Sequence, residues 1–227
     1  MKSVCLIISI LMIPFICFAE EPAIVDVAAP RIINNNAYIL YVPGGMKADH
    51  RYPLVVALSP NAHAESMLGA WKDVSERYKW IILASREHKN GMDFKVIGSA
   101  LSSTIRAVVA RYPVDEKKII ATGFSGGGMS AHYLSMAYPN LISAVVVNTA
   151  MINEYYFGGK HYGYPRNKIA VFLASPTDFR YEQMKLDRNF LERIGWKTRW
   201  IEFEGGHAIA PAKAYQEAAV WLIEELH

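Results

Sequence analysis

Five short, continuous apolar runs limit what this chain can fold into more than any other feature. They are "LVVALS" (54–59), "WIILAS" (80–85), "KIIATG" (118–123), "SAVVVNT" (143–149) and "KIAVFLA" (168–174). A strand with one wet face alternates apolar and polar residues. A continuous run of this length reads as a strand covered on both faces. Helical patterns separate the runs. In "AESMLGAWKDVSERY" (64–78), Met67, Leu68, Trp71, Val74 and Tyr78 fall on one side. "FKVIGSALSSTIRAVVARY" (94–112) reads as a long helix ended by Pro113, and the segment after Ser125 as one stopped by Pro139. "YEQMKLDRNFLERIG" (181–195) has Gly195 as its C-terminal cap, and "PAKAYQEAAVWLIEEL" (211–226) opens on Pro211. "AYILYV" (37–42) and the alternating "KTRWIEF" (197–203) supply a first and a last strand. The repetition predicts an α/β architecture, a mostly parallel sheet with helices on both faces.

At 227 residues and 52% hydrophobic, the chain has enough apolar surface for one domain and too little for two. The formal net charge is +3 and no long Lys/Arg run appears, so a nucleic-acid partner is not expected. "MKSVCLIISILMIPFICFAEEP" has a basic start, an apolar run from Val4 to Phe18, and small Ala19 before acidic sequence. That is the build of a secretory signal peptide over residues 1–19. The run is shorter than the roughly 20 residues that span a bilayer, and Pro14 interrupts it, so no stable membrane anchor is expected after cleavage. The domain then covers 20–227, exported to the periplasm or the medium. Both cysteines, Cys5 and Cys17, lie in the leader, so the mature chain has no disulfide, thiolate nucleophile or Cys-based metal site. One segment breaks the rhythm. "AMINEYYFGGKHYGYPRN" (150–167) is rich in Tyr, Phe and Gly where a helix would fit. It reads either as a lid or pocket wall, or as a surface loop packed by its own aromatics.

The chemistry gathers at "KKIIATGFSGGGMSAHYLSMAYP" (117–139). Gly123-Phe124-Ser125-Gly126-Gly127 fits G-x-S-x-G between a strand and a helix. There a sharp turn can expose the serine hydroxyl, and side chains at the glycines would collide with neighbouring backbone. The helix start also favours a developing negative charge. A serine hydroxyl needs a base, and His207 in "EFEGGHAIAP" follows the last strand, where Gly205 and Gly206 let the chain turn. His50 and His88 sit in turn-like polar contexts, His161 in the aromatic segment, and His132 on the helix after Ser125, where it packs. The base needs an acid to fix its tautomer, and Asp178 follows the strand at 168–174. Asp178 could instead cap the helix at Tyr181, and one carboxylate would do only one of the two jobs well. The oxyanion donors are read as the Gly126 amide and one amide from "ALSPNAHAES", that of Asn61 or Ala62, with His63 an exposed loop residue.

The order Ser125, Asp178, His207 resembles the α/β-hydrolase superfamily, over about residues 37–226. "YPVDEKKIIATGFSGGGMSAHYLSMAYP" with "EGGHAIAP" is similar to small secreted esterases of the polyhydroxyalkanoate-depolymerase, feruloyl-esterase and dienelactone-hydrolase-like group. The resemblance implies a three-layer α/β-hydrolase fold, Ser-His-Asp acyl transfer on a small or polymeric ester, and no cofactor or metal. Ser59-Pro60-Asn61 departs from the His-Gly such proteins commonly carry there, which leaves the acyl pocket open. The same triad would serve a serine peptidase or another acyl transferase. A non-catalytic binding protein on this scaffold would usually lack a triad member, and none is missing.

Overall fold

The continuous apolar runs form the middle of one sheet. The computed structural model describes residues 27–153 and 164–226. Its elements are β1 (Arg31–Asn34), β2 (Tyr38–Val42), β3 (Tyr52–Leu58), α1 (Ala64–Tyr78), β4 (Ile81–Ser85), α2 (Phe94–Arg111) and β5 (Val114–Phe124). They continue with α3 (Gly126–Ala137), β6 (Ala144–Asn148), β7 (Ile169–Ala174), α4 (Tyr181–Arg193), β8 (Lys197–Glu202) and α5 (Ala212–Glu225). The eight strands lie in the order β1-β2-β4-β3-β5-β6-β7-β8. From β4 to β8 every neighbouring pair is parallel, while β1 and β2 add an antiparallel edge.

Strand side chains alternate between two cores, as the two-residue period requires. Leu54, Val56, Leu58, Val145, Val147, Ala170 and Phe172 face a core closed by α2, α3 and α4. Val55, Ala57, Ala144, Val146, Val171 and Leu173 face another, closed by α1 and α5. The α1 stripe is used as its spacing suggests: Met67, Trp71 and Val74 are buried, and Leu68 and Tyr78 pack at the margin. Among the described residues no helix is long and apolar enough to cross a membrane.

Departures from the sequence reading have local causes. The four-residue β1 is largely exposed, so no apolar pattern marks it. β5 starts at Val114 rather than 118, because the polar "DEKK" stretch reaches past the buried part of the sheet. α4 stops at Arg193. Gly195, with φ 89°, is the residue beyond the cap; its N–H bonds Glu192 O and the Trp196 N–H bonds Leu191 O, which closes the helix end. The segment 1–19, expected to be a leader, and the centre of the aromatic segment, 154–163, lie outside the described residues. Both flanks of that segment are core: Ile152 and Tyr164 are buried, and Tyr164 packs edge-on against Phe190.

His132 packs inside the helix layer, as expected, but more completely than its polarity suggests. It is fully buried beside Phe172, and neither ring nitrogen has a hydrogen-bond partner among the described residues. Burial lowers its pKa to about 3 from an ordinary value near 6.5. Below about pH 6.5 the unfolded chain takes up a proton here and the folded chain does not. This group therefore costs nothing above that pH and destabilises the fold as pH falls toward 3. The loss is about 1.4 kcal/mol per pH unit, or roughly 3 kcal/mol between pH 6.5 and 4. His88, whose pKa burial also lowers, acts in the same direction. His132→Leu is expected to flatten the acid side of a melting-temperature profile over that range. An unchanged profile would show that this ring does not carry the acid sensitivity.

Candidate active site

Every residue of interest sits where the parallel strands end, the edge at which open α/β sheets bind ligands. Ser125 joins β5 to α3 with φ 54° and ψ −123°, a strained backbone for a residue with a side chain. The turn is held from both sides. The Ser125 N–H donates to Asn148 O at 3.0 Å, and its carbonyl accepts from the Gly128 and Met129 amides. Glycine is required by close approach. A Cβ at Gly123 would lie 2.3 Å from the Gly127 carbonyl carbon, and one at Gly127 would lie 2.2 Å from Leu58 O.

His207 comes to the same place from the loop after β8. Gly205 (φ 142°) and Gly206 (φ 65°) turn the chain, and the Gly206 N–H is fixed to Ser175 Oγ at 2.9 Å. The imidazole lies between the rings of Phe124 and Phe179, with centroids 5.0 and 4.9 Å away. Its Nδ1–H donates to Asp178 Oδ2 at 2.5 Å, and Nε2 accepts from the Ser125 hydroxyl at 2.9 Å. The Asp178 side chain is wholly buried. Its second oxygen, Oδ1, accepts from the Arg180 N–H at 2.7 Å. The carboxylate thus serves the histidine and does not cap α4. Each oxygen takes one task, because the bond to Arg180 closes a turn just before α4 rather than capping the helix itself.

The sequence reading brought Ser125, His207 and Asp178 together but missed three other residues at the site. Asn148 is buried at the end of β6. Its Oδ1 accepts from the Ala210 N–H (2.7 Å) and the Tyr215 hydroxyl (2.9 Å), and its Nδ2 donates to Ala208 O at 3.1 Å. One side chain thus fastens the His207 loop, while the same residue's carbonyl holds Ser125. His88 lies in the irregular segment after β4 and is buried there. Its Nδ1–H donates to Ser59 O, and Nε2 accepts from the Ser130 hydroxyl, both at 2.6 Å. Burial lowers its pKa and so favours the neutral ring that this pattern uses. It ties α3 to the start of the loop after β3. Arg180 donates from Nη1 to Ser125 Oγ at 2.8 Å and to Thr149 O at 3.2 Å. Thr149 is itself held at φ 41°.

Gly126 opens α3, where the first amides have no acceptor within the helix. Asn61 and Ala62 lie on the loop leaving β3, whose Leu58 pairs with Gly123 of β5. The Asn61 N–H turns back to Ser59 Oγ at 3.4 Å, its Oδ1 accepts from the Ser59 hydroxyl at 2.9 Å, and its backbone bridges to Lys89. Ala62 has φ 63°. His63 is exposed, as expected. Beside Gly126 opens a cavity of about 260 Å³, lined among others by Lys89, Asn90, Phe94, Met129 and Arg180.

No protein-family model and no curated protein matches the chain. Solved structures do. An S-formylglutathione hydrolase of Staphylococcus aureus superimposes with a TM-score of 0.69 at 13% identity, covering 86% of this chain and 98% of that one. Esterase 2 of Thermogutta terrifontis, solved phosphoramylated by tabun, gives 0.64 at 17% identity, covering 88% and 95%. A carboxylesterase of Bacillus cereus gives 0.62 at 16% identity, covering 78% and 89%. With the sheet order above, these likenesses show that the chain has the fold of these hydrolases, a three-layer α/β-hydrolase fold.

Proposed function

We propose that the protein is a serine hydrolase acting on carboxylic esters through an acyl-enzyme. The observation that carries this reading is the chain of contacts from Asp178 through His207 to Ser125, 2.5 and 2.9 Å long, ending on a strained turn. Asp178 fixes the imidazole tautomer with Nε2 free to accept a proton. Ser125 attacks the ester carbonyl as His207 takes that proton. The oxyanion rests on the Gly126 amide and on one amide of the loop after β3. Ala62 is the donor of choice there, since the Asn61 N–H already faces Ser59 Oγ. His207 then protonates the leaving alcohol, and water, activated by the same ring, releases the acid. The cavity beside Gly126 suits a short acyl group. Esterases among the fold neighbours support the ester reading, and a dipeptidyl aminopeptidase IV-like protein among them keeps the peptidase reading as the alternative. The leader-like residues 1–19 support export to the periplasm or the medium.

Two-step acyl transfer has a kinetic signature when deacylation is the slower step. Mixed with excess p-nitrophenyl acetate, the purified protein is expected to release a rapid burst of about one p-nitrophenol per chain, followed by a slower steady rate. Absence of turnover above the uncatalysed rate would refute the reading.

A further inference from the structure

Arg180 holds the Thr149 carbonyl, yet its guanidinium also reaches the serine. Its Nη1 donates to the oxygen that would attack the substrate. Its Nε is buried and has no acceptor among the described residues. The charged neighbour that favours its cationic form is Asp178, but both Asp178 oxygens are taken, by His207 and by the Arg180 amide. The guanidinium also stacks 4.8 Å over the ring of exposed Phe179, which holds it in the pocket rather than in solvent. Lys89 lines the same cavity as a second cation. Asp93, next in the chain to cavity-lining Phe94, accepts from the Lys95 and Val96 amides through Oδ1, and Glu87, next to cavity-lining His88, has a buried Oε2 with no partner among the described residues. Asp178 balances the Arg180 charge, but the guanidinium keeps a buried Nε without an acceptor among the described residues, and Lys89 adds a cation to the cavity lining. A half-buried guanidinium lacking a full set of acceptors is costly, and a carboxylate is the partner whose geometry it matches.

We infer that the substrate carries a carboxylate a few bonds from the scissile carbonyl, on the acyl side, and that Arg180 is the residue that selects it. The substrate class is a half-ester of a short dicarboxylic acid. This rests on the esterase reading above and specifies its substrate. A charge on the acyl group stays beside Arg180 when the alcohol departs, because the acyl carbon is then bonded to Ser125 Oγ, 2.8 Å from Nη1 before attack. Arg180 is displaced from the serine oxygen as the substrate carboxylate takes its place. Water then breaks the acyl–Oγ bond and the dicarboxylic acid leaves with both carboxyl groups free.

The test compares monomethyl succinate with methyl pentanoate, a neutral ester of similar length, following acid release with the purified protein. p-Nitrophenyl acetate serves as a substrate blind to the charge. The wild-type protein is expected to favour the half-ester in kcat/KM by about tenfold or more. Arg180→Gln is expected to lower that preference about 10- to 100-fold, and Arg180→Lys to keep part of it because the charge remains but the fork is lost. Melting temperatures establish that the variants fold. Should Arg180→Gln fail to fold, the wild-type preference and its partial retention in Arg180→Lys decide. Equal turnover of the two methyl esters by the wild type would overturn the proposal. So would a loss in Arg180→Gln that falls equally on both, which marks a role in orienting the serine alone. The first result can occur with p-nitrophenyl acetate hydrolysis intact, whereas the second would lower it too, since that ester uses the same serine. A protein inert toward all three esters would instead remove the esterase reading itself.

Discussion

Alanine in place of Ser125 is expected to lower kcat/KM for p-nitrophenyl acetate by about four orders of magnitude or more. The hydroxyl is the only reacting group the substitution removes. The strained turn persists, because its φ of 54° is imposed by the glycine contacts and by the Asn148 carbonyl rather than by the serine side chain. The variant should therefore melt near the wild-type temperature, which separates lost chemistry from lost fold. Some residual acceleration should survive, since the backbone donors at Gly126 and in the loop after β3 do not depend on the hydroxyl. A purified, folded Ser125→Ala protein with wild-type turnover would place the reaction elsewhere.

Gly127→Ala is expected to cost about 3 kcal/mol or more in stability and most of the activity with it. The added Cβ would meet Leu58 O at 2.2 Å, the Leu58 carbonyl carbon at 2.5 Å and Ser59 N at 3.0 Å. All three are backbone atoms, so no rotamer change relieves the overlap. Leu58 cannot withdraw easily, because it ends the ladder of β3 against β5 next to Gly123. The helix must move instead, carrying the Gly126 amide and Ser125 away from His207. For a domain of this size the melting temperature should fall by roughly 6–12 °C. Gly69→Ala is the control: it sits on α1, where a Cβ meets nothing within 4 Å, and should not lower the melting temperature. Equal melting temperatures for Gly127→Ala and the wild type would contradict the packing described here.

What was legible in the sequence was whatever depends on near neighbours in the chain. Apolar runs without alternation mark doubly covered strands, and the glycines around Ser125 mark a turn whose geometry is local. His207 and Asp178 could be placed because strand order carries them to one edge. His88 and Asn148 could not, because their partners are distant. His88 reaches back 29 residues to Ser59 and forward 42 to Ser130, and Asn148 reaches about 60 residues to Ala208 and Ala210. Neither spacing leaves a trace in local polarity. Arg180 was hidden differently. Two residues after Asp178, at the start of a helix, it reads as a solvent-facing cation, and only the fold turns it 55 residues back to Ser125.

The most direct test of the central claim is to find which residue becomes phosphonylated. The protein is treated with a fluorophosphonate, digested, and its peptides weighed and fragmented. An activated serine beside a base is expected to give one adduct per chain, on Ser125, absent from Ser125→Ala and much slowed in His207→Gln. No adduct on the folded protein, or one on another residue that persists in Ser125→Ala, would contradict the account.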